Sequence, residues 1–218
     1  MPHRLPPAAA DGALPRGALL VLATANPGKL RELRALLSGL PLRVEAQSQF
    51  GVAAVEETGS TFLENALLKA RHAARATGAA VIADDSGLEV DALGGAPGVR
   101  SARFAGPSAD DAANNARLVA ALAGLPPARR RARYRCVLVY LSGPDEAAPL
   151  VAEGVWEGVI LDAPRGAGGF GYDPYFCLPE SGLTAAELLP ADKNRLSHRG
   201  IALRALRARL DERLGRRS

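Results

Sequence analysis

Asp84 and Asp85 stand side by side after the apolar run Val81-Ile82-Ala83. Ser86 and Gly87 follow, before an alternating segment resumes at Leu88-Glu89-Val90. Adjacent carboxylates repel each other and lose solvation on burial unless a cation or a proton resolves them. On this stretch alone two readings stand. One is a polar hairpin turn, in which Asp, Ser and Gly are ordinary residues; the other is an acidic site at a strand end that takes a cation. The basic residues carry a second signal. Lysine and arginine together number 27 against 23 acidic residues, for a net charge of +4, yet only Lys29, Lys69 and Lys193 are lysines. A lysine head is a compact point charge, whereas arginine presents a planar fork. Each of the three lysines falls beside other residues that can do chemistry.

Lys29 closes the segment Thr24-Ala25-Asn26-Pro27-Gly28-Lys29, directly after an apolar strand candidate at 18–23. Asn26 is a good helix N-cap and Pro27 suits the first helical position. Leu30, Leu33 and Leu37 continue at helical spacing, and Gly39 is a plausible stop. The free amides of such a helix start, with Lys29 in its first turn, make an anion site. It is not a Walker P-loop, because Ala23 occupies the place of the first glycine and Leu30 follows the lysine. A second strand is expected at 42–46. Lys69 lies in a helix opened by the capping box Thr61 to Glu64, running roughly four turns to Ala76 and ended by Gly78. Asn65, Lys69 and His72 share one face of it, which by itself reads as a solvated polar stripe. An acidic loop carrying Glu56-Glu57 precedes it.

Further along, Gly94-Gly95-Ala96-Pro97-Gly98 allows close backbone approach. Ser108 is positioned to cap a helix over about 109–123. The basic run from Arg129 to Arg135 enters a strand over 134–141. With only Tyr134 interleaved it reads as a solvated strand edge rather than a nucleic-acid reader. A strand over 150–161 pairs with it as a hairpin. In Gly169-Phe170-Gly171-Tyr172-Asp173, glycines flank Phe170 and leave its ring poorly covered. That ring either packs back on the core or offers an aromatic face to a planar ligand. A short helix is expected over 183–188. Lys193 follows, and Ser197 caps a last helix whose stripe is Leu203, Leu206, Leu210 and Leu214. This places His198 and Arg199 at a helix start, exposed and cationic.

The length suits one α/β domain, residues 18–218, after a Pro/Ala/Gly-rich stretch at 1–17 that reads as a flexible tail. That stretch lacks the long apolar core of a signal peptide, and no apolar run approaches the ~20 residues of a membrane span. The expectation is a cytoplasmic protein with no membrane or nucleic-acid partner. Cys136 and Cys177 show neither metal-ligand spacing nor a disulfide framework.

Helix-start amides and point cations suit phosphates. Carboxylates facing phosphates need a hard divalent cation between them, and Mg2+ is commonly held by one or two carboxylates plus substrate oxygens. An exposed aromatic adds a base. The sum is a nucleoside triphosphate with Mg2+.

These segments, together with Glu57-Thr58-Gly59 and Ser197-His198-Arg199, resemble the inosine triphosphate pyrophosphatase family, in its order, from about Leu19 to the C-terminus. The resemblance implies a mixed sheet, elongated and flanked by helices, in two lobes with a cleft between. It implies a homodimer and Mg2+-assisted hydrolysis of ITP, dITP and XTP to the monophosphate and pyrophosphate. Carried over residue by residue, Asp85 resembles the family's essential acid, metal ligand and general base, Glu57 the second metal-site carboxylate, with Glu56 beside it, and Asp84 a supporting acid. Lys29 and Lys69 resemble the phosphate-contacting cations. Ser86 and the turn formed by Thr24, Ala25, Asn26, Pro27, Gly28 and Lys29 resemble phosphate contacts. Phe170, Gly171, Tyr172, Asp173, Lys193, His198 and Arg199 resemble the nucleoside pocket. The alternatives are a pyrophosphatase for other modified or pyrimidine deoxynucleotides, or a nucleic-acid-binding module.

Overall fold

The computed structural model describes residues 17–213. The expected tail, apart from Gly17, and Leu214 lie outside the described residues. β1 (Leu19–Ala23) is buried along its whole length, as a strand covered on both faces must be. α1 (Pro27–Leu37) follows and leads to β2 (Arg43–Ala46), which lies parallel to β1. α2 (Phe62–Thr77) then leads to β3 (Ala80–Val90), which is parallel to β1 on its other side. The capping box is formed as its sequence requires: Thr61 accepts from the Glu64 amide, and Glu64 accepts from the Thr61 amide. Gly78 ends α2 at φ +67°, a left-handed conformation that glycine adopts without penalty.

After α3 (Asp111–Ala121), the strands β4 (Arg131–Leu141) and β5 (Leu150–Ile160) are neighbours, and β6 (Phe176–Cys177) runs antiparallel to β5. The sheet order is β2-β1-β3-β4-β5-β6, mixed in direction. α4 (Pro190–Leu196) and α5 (His198–Arg213) close the chain. This is the expected α/β class. Cys136 and Cys177 are buried and form no disulfide. Among the described residues no helix is long and apolar enough to cross a membrane.

The chain divides into two compact units. The first comprises residues up to Asp85, Val137–Glu153 and residues from Ala202 on; the second comprises Ser86–Cys136 and Gly154–Ile201. The core of the first includes Leu20, Leu22, Leu33, Ala66, Ala70, Ile82 and Leu206, all at or near zero exposure. The core of the second is an aromatic and aliphatic cluster of Leu88, Val90, Leu118, Tyr134, Trp156, Tyr172 and Phe176.

Several local expectations need correction. Asp84 and Asp85 do not end a strand: β3 continues unbroken through them for 11 residues, which removes the hairpin-turn reading. The cap of α3 is Asp110, whose carboxylate accepts from the Ala113 amide at 2.8 Å, and not Ser108. A carboxylate suits the positive end of a helix better than a hydroxyl does. Residues 183–188 form turns rather than a helix, because the Ala185 amide donates to the Phe176 carbonyl and Thr184 bridges to Cys177. The strand entered by the basic run lies between β3 and β5 rather than at the sheet margin, and its cations meet the protein's own acids. Arg133 pairs with Asp91 at 2.8 Å and with Glu157 at 3.2 Å, and Arg130 with Asp162. The backbone approach allowed by the 94–98 loop is to β3 itself. A Cβ at Gly87 would lie 2.4 Å from the Gly98 carbonyl oxygen.

The hydrogen bonds from Ser60 and Thr61 hold the Glu64 carboxyl below its ordinary range. The stability it adds is therefore present above its unfolded pKa and is lost as pH falls through the lowered value. An NMR titration of Glu64 reads this as a midpoint below that of a solvated glutamate. Thr61→Ala, measured by chemical denaturation at neutral pH, costs about 1 kcal/mol.

Candidate functional site

Asp84 and Asp85 are both buried, at 0% and 4% exposure. Successive residues of a strand face opposite sides, and each acid meets a lysine from a different helix. Lys29, in the first turn of α1, lies 2.6 Å from Asp84 Oδ1. Lys69 of α2 lies 2.7 Å from Asp85 Oδ1 and 2.8 Å from Glu57 Oε1. Asp85 Oδ2 is buried and makes no hydrogen bond. Burial pushes the Asp85 carboxyl above the ordinary carboxylate range, against the opposing pull of Lys69 and Lys29. Burial acts to lower Lys69, but Asp85 and Glu57 outweigh it and raise the ammonium. The cluster brings three carboxylates and two ammonium groups together.

The polar stripe of α2 holds the preceding loop in place. Asn65 Oδ1 accepts from the Gly59 amide at 2.7 Å, and its Nδ2 donates to the Gly59 carbonyl at 3.4 Å. Lys69 takes Glu57 from the same loop, and His72 Nε2 lies 3.0 Å from the Ala53 carbonyl oxygen. Glu57, two residues from Gly59, is thus carried to Lys69 by a helix face. Asn65 is the anchor that the sequence reading left without a role, although the spacing of 65, 69 and 72 was the available signal.

The turn after β1 is more self-contained than expected. The Asn26 amide donates to Thr24 Oγ1 at 3.2 Å, and the Lys29 amide to Asn26 Oδ1 at 3.0 Å. Two of the amides expected to be free for an anion are therefore occupied in this conformation. Thr24 and Gly28 are buried, Asn26 and Lys29 half-buried, and Ala25 and Pro27 exposed.

In the second unit, Asp173 is the centre of a second cluster. Its Oδ2 accepts from Lys193 Nζ at 2.5 Å and from the Phe170 amide at 2.8 Å. Its Oδ1 accepts from the Tyr134 hydroxyl at 3.1 Å. Glycine is required beside it: Gly169 has φ +72°, and a Cβ there would fall 2.0 Å from Asp173 Oδ2. The Phe170 ring is half-buried, with Lys193 Nζ 4.8 Å and the Arg199 guanidinium 5.9 Å from its centroid. α3 grips the neighbouring peptide, since Asp111 Oδ2 accepts from the Gly171 amide and Asn115 Nδ2 donates to its carbonyl. Tyr172 is a core residue whose hydroxyl donates to the Ser101 carbonyl, and burial raises it well above the ordinary phenol range.

His198 and Arg199 are not exposed, as expected of a polar helix start, but 5% and 1% accessible. His198 stacks on Tyr134 at 4.7 Å and 11°, and Arg199 Nη2 donates to Ser86 Oγ at 2.9 Å. Ser197 does cap α5, its hydroxyl accepting from the Gly200 amide.

The class defined by these features is an α/β protein whose sheet carries buried acid–lysine clusters. A family model described as the Ham1 family matches residues 20–209, and the chain belongs to that family. It is 59% identical over 191 residues to the dITP/XTP pyrophosphatase of Xanthomonas campestris pv. campestris (strain 8004), covering 88% of this chain and 96% of that protein. It is 58% identical to the dITP/XTP pyrophosphatase of Methylococcus capsulatus, covering 88% and 95%. Among solved structures, a HAM1 protein from Coxiella burnetii superposes with a TM-score of 0.81 at 48% identity, over 89% of this chain and 99% of that one. These relatives bear out the resemblance read from the motifs.

The acid–lysine cluster makes a prediction that needs no substrate. Lys69→Met takes the ammonium away from Asp85 and Glu57 and costs about 3 kcal/mol in chemical denaturation. Adding Asp85→Asn to it costs less than the sum of the two single changes, because the more deeply buried of the two carboxylates is then gone.

Proposed function

We propose that the protein hydrolyses deaminated purine nucleoside triphosphates (ITP, dITP and XTP) to the monophosphate and pyrophosphate, and so keeps them out of the nucleotide pool. The observation that carries this reading is the pair of adjacent buried acids on β3, each joined to one of the chain's three lysines. The names of the relatives, dITP/XTP pyrophosphatase, support the substrate class.

The residues present fit a hard divalent cation. Asp85 Oδ2 is a buried carboxylate oxygen without a partner, Glu57 stands on the same lysine, and both are hard oxygen donors. Asp85 and Glu57 would hold Mg2+, which when bound supplies charge neutralisation for the triphosphate. Lys29 and Lys69 add fixed positive charge for the phosphates, and Ser86 adds a hydroxyl. Asp85 orients water and takes its proton as the water oxygen bonds to the α-phosphorus. The bond from that phosphorus to the bridging oxygen breaks, and pyrophosphate leaves with the electron pair.

Phe170 offers a face to the base, and Lys193, His198 and Arg199 supply polar recognition beside it. Hypoxanthine and xanthine carry a carbonyl at position 6 where adenine carries an amino group. A buried cationic donor such as Arg199 can bond that carbonyl, whereas an amino group facing it leaves two donors unpaired. Such stranding discriminates strongly. A homodimer in the cytoplasm completes the reading, and sedimentation of the purified protein tests the dimer.

Pyrophosphate release from ITP, XTP, dITP, GTP, ATP and dTTP is the direct test. Turnover of ITP, XTP and dITP well above the rest, abolished by a chelator and restored by Mg2+, is the expected result; preference for dTTP would overturn it. Asp85→Asn lowers kcat by about a hundredfold or more with the fold retained. Arg199→Ala lowers the ITP-to-ATP ratio of kcat/KM about tenfold, with melting followed in parallel.

A further inference from the structure

We propose that Tyr134 is a positioning residue for base selection: its hydroxyl sets the Asp173 carboxylate, and through it Lys193 and Phe170, while its ring sets His198. The inference rests on the function proposed above and names a residue that this function does not use.

Tyr134 is the aromatic within the basic run of β4, and it is 7% exposed. Its hydroxyl donates to Asp173 Oδ1, while the other oxygen of that carboxylate carries Lys193 and the Phe170 amide. A carboxylate turns about its Cβ–Cγ bond, and a donor on Oδ1 opposes that turn. Any tilt of Asp173 passes directly to Lys193 Nζ, which lies 4.8 Å from the Phe170 centroid, and to the backbone that carries the ring. The ring of Tyr134 meanwhile lies nearly parallel to the His198 imidazole, at 11° and 4.7 Å, one residue before Arg199. One side chain therefore touches both groups of residues assigned to the nucleoside.

The ring is held independently of the hydroxyl. Its centroid lies 4.6 Å from that of Phe176 and 6.4 Å from that of Trp156. Tyr134→Phe thus keeps the ring that packs on Phe176 and Trp156 and stacks on His198, and removes the hydroxyl that bonds Asp173. A tyrosine that merely filled the core would lose stability on this change and nothing else.

The experiment measures kcat, KM and melting for ITP and ATP in wild type and Tyr134→Phe. The expected result is a KM for ITP raised about tenfold with kcat within about twofold, and an ITP-to-ATP ratio of kcat/KM that falls by a similar factor. A lowered melting temperature with unchanged KM and ratio overturns the proposal and leaves a structural tyrosine. The ring's part is read in the ligand-free protein, which has only three histidines. The His198 ring proton is shifted upfield in wild type and Tyr134→Phe, and most of that shift is lost in Tyr134→Met, where only the more distant stack on Trp156, at 6.4 Å, is left. An unshifted His198 proton in wild type overturns that half. A wild-type protein that turns over none of the triphosphates overturns the functional reading and this inference with it. Normal wild-type turnover beside an unaffected Tyr134→Phe overturns the inference alone.

Discussion

Two carboxylates buried side by side on a strand need cations or protons to meet them, and here two lysines do so. Asp84 and Asp85 are nearly inaccessible, and an isolated ionised carboxylate is too costly to bury in such a place. Much of the first unit serves that constraint. α1 starts where it does so that its first turn carries Lys29 to Asp84, and α2 runs so that Lys69 reaches Asp85. The strand between them supplies rigidity, since β3 bonds to its neighbours on both sides. Two of the three acids stand on the sheet and both lysines on helices, which keeps these charged groups at fixed separations.

The same economy governs α2. Its polar face would be expected to meet solvent, yet Asn65, Lys69 and His72 bind the loop that carries Glu57. The residues that could hold a metal thus come from a strand and a loop, and one lysine joins them. Asp173 has the corresponding part in the second unit, where one carboxylate receives an ammonium, a backbone amide and a phenol. Each cluster has a buried acid at its centre, and the lysines of a chain otherwise rich in arginine are spent on these acids. A point charge can satisfy one carboxylate from any direction, whereas the arginine fork demands a plane.

Much of this was legible beforehand. The Asn26 cap, the Thr61 capping box, the α2 face and the Ser197 cap all follow from local patterns, and local patterns survive folding when a cap or a helical period fixes the backbone. The scarcity of lysine pointed to all three ion-paired cations. What failed was environment. The acids looked like a strand end and proved to be mid-strand. His198 and Arg199 looked exposed and proved buried, because Tyr134 of β4 packs on His198 and Ser86 of β3 meets Arg199. The Asn26 amide looked free and is bonded to Thr24 Oγ1, and the Lys29 amide is taken by the Asn26 cap itself.

The sequence by itself determined the α/β class, the helix starts and the three lysines set apart from the arginines, since these depend on periodicity, capping and composition within a few residues. Only the tertiary structure decided which acid meets which lysine, how deeply each is buried, and that Tyr134 joins Asp173 to His198. Those facts depend on contacts between residues far apart in the chain. Lys69 and Asp85 are 16 positions apart, and Tyr134 and Asp173 are 39. Burial and pairing belong to such contacts, and no local pattern encodes them.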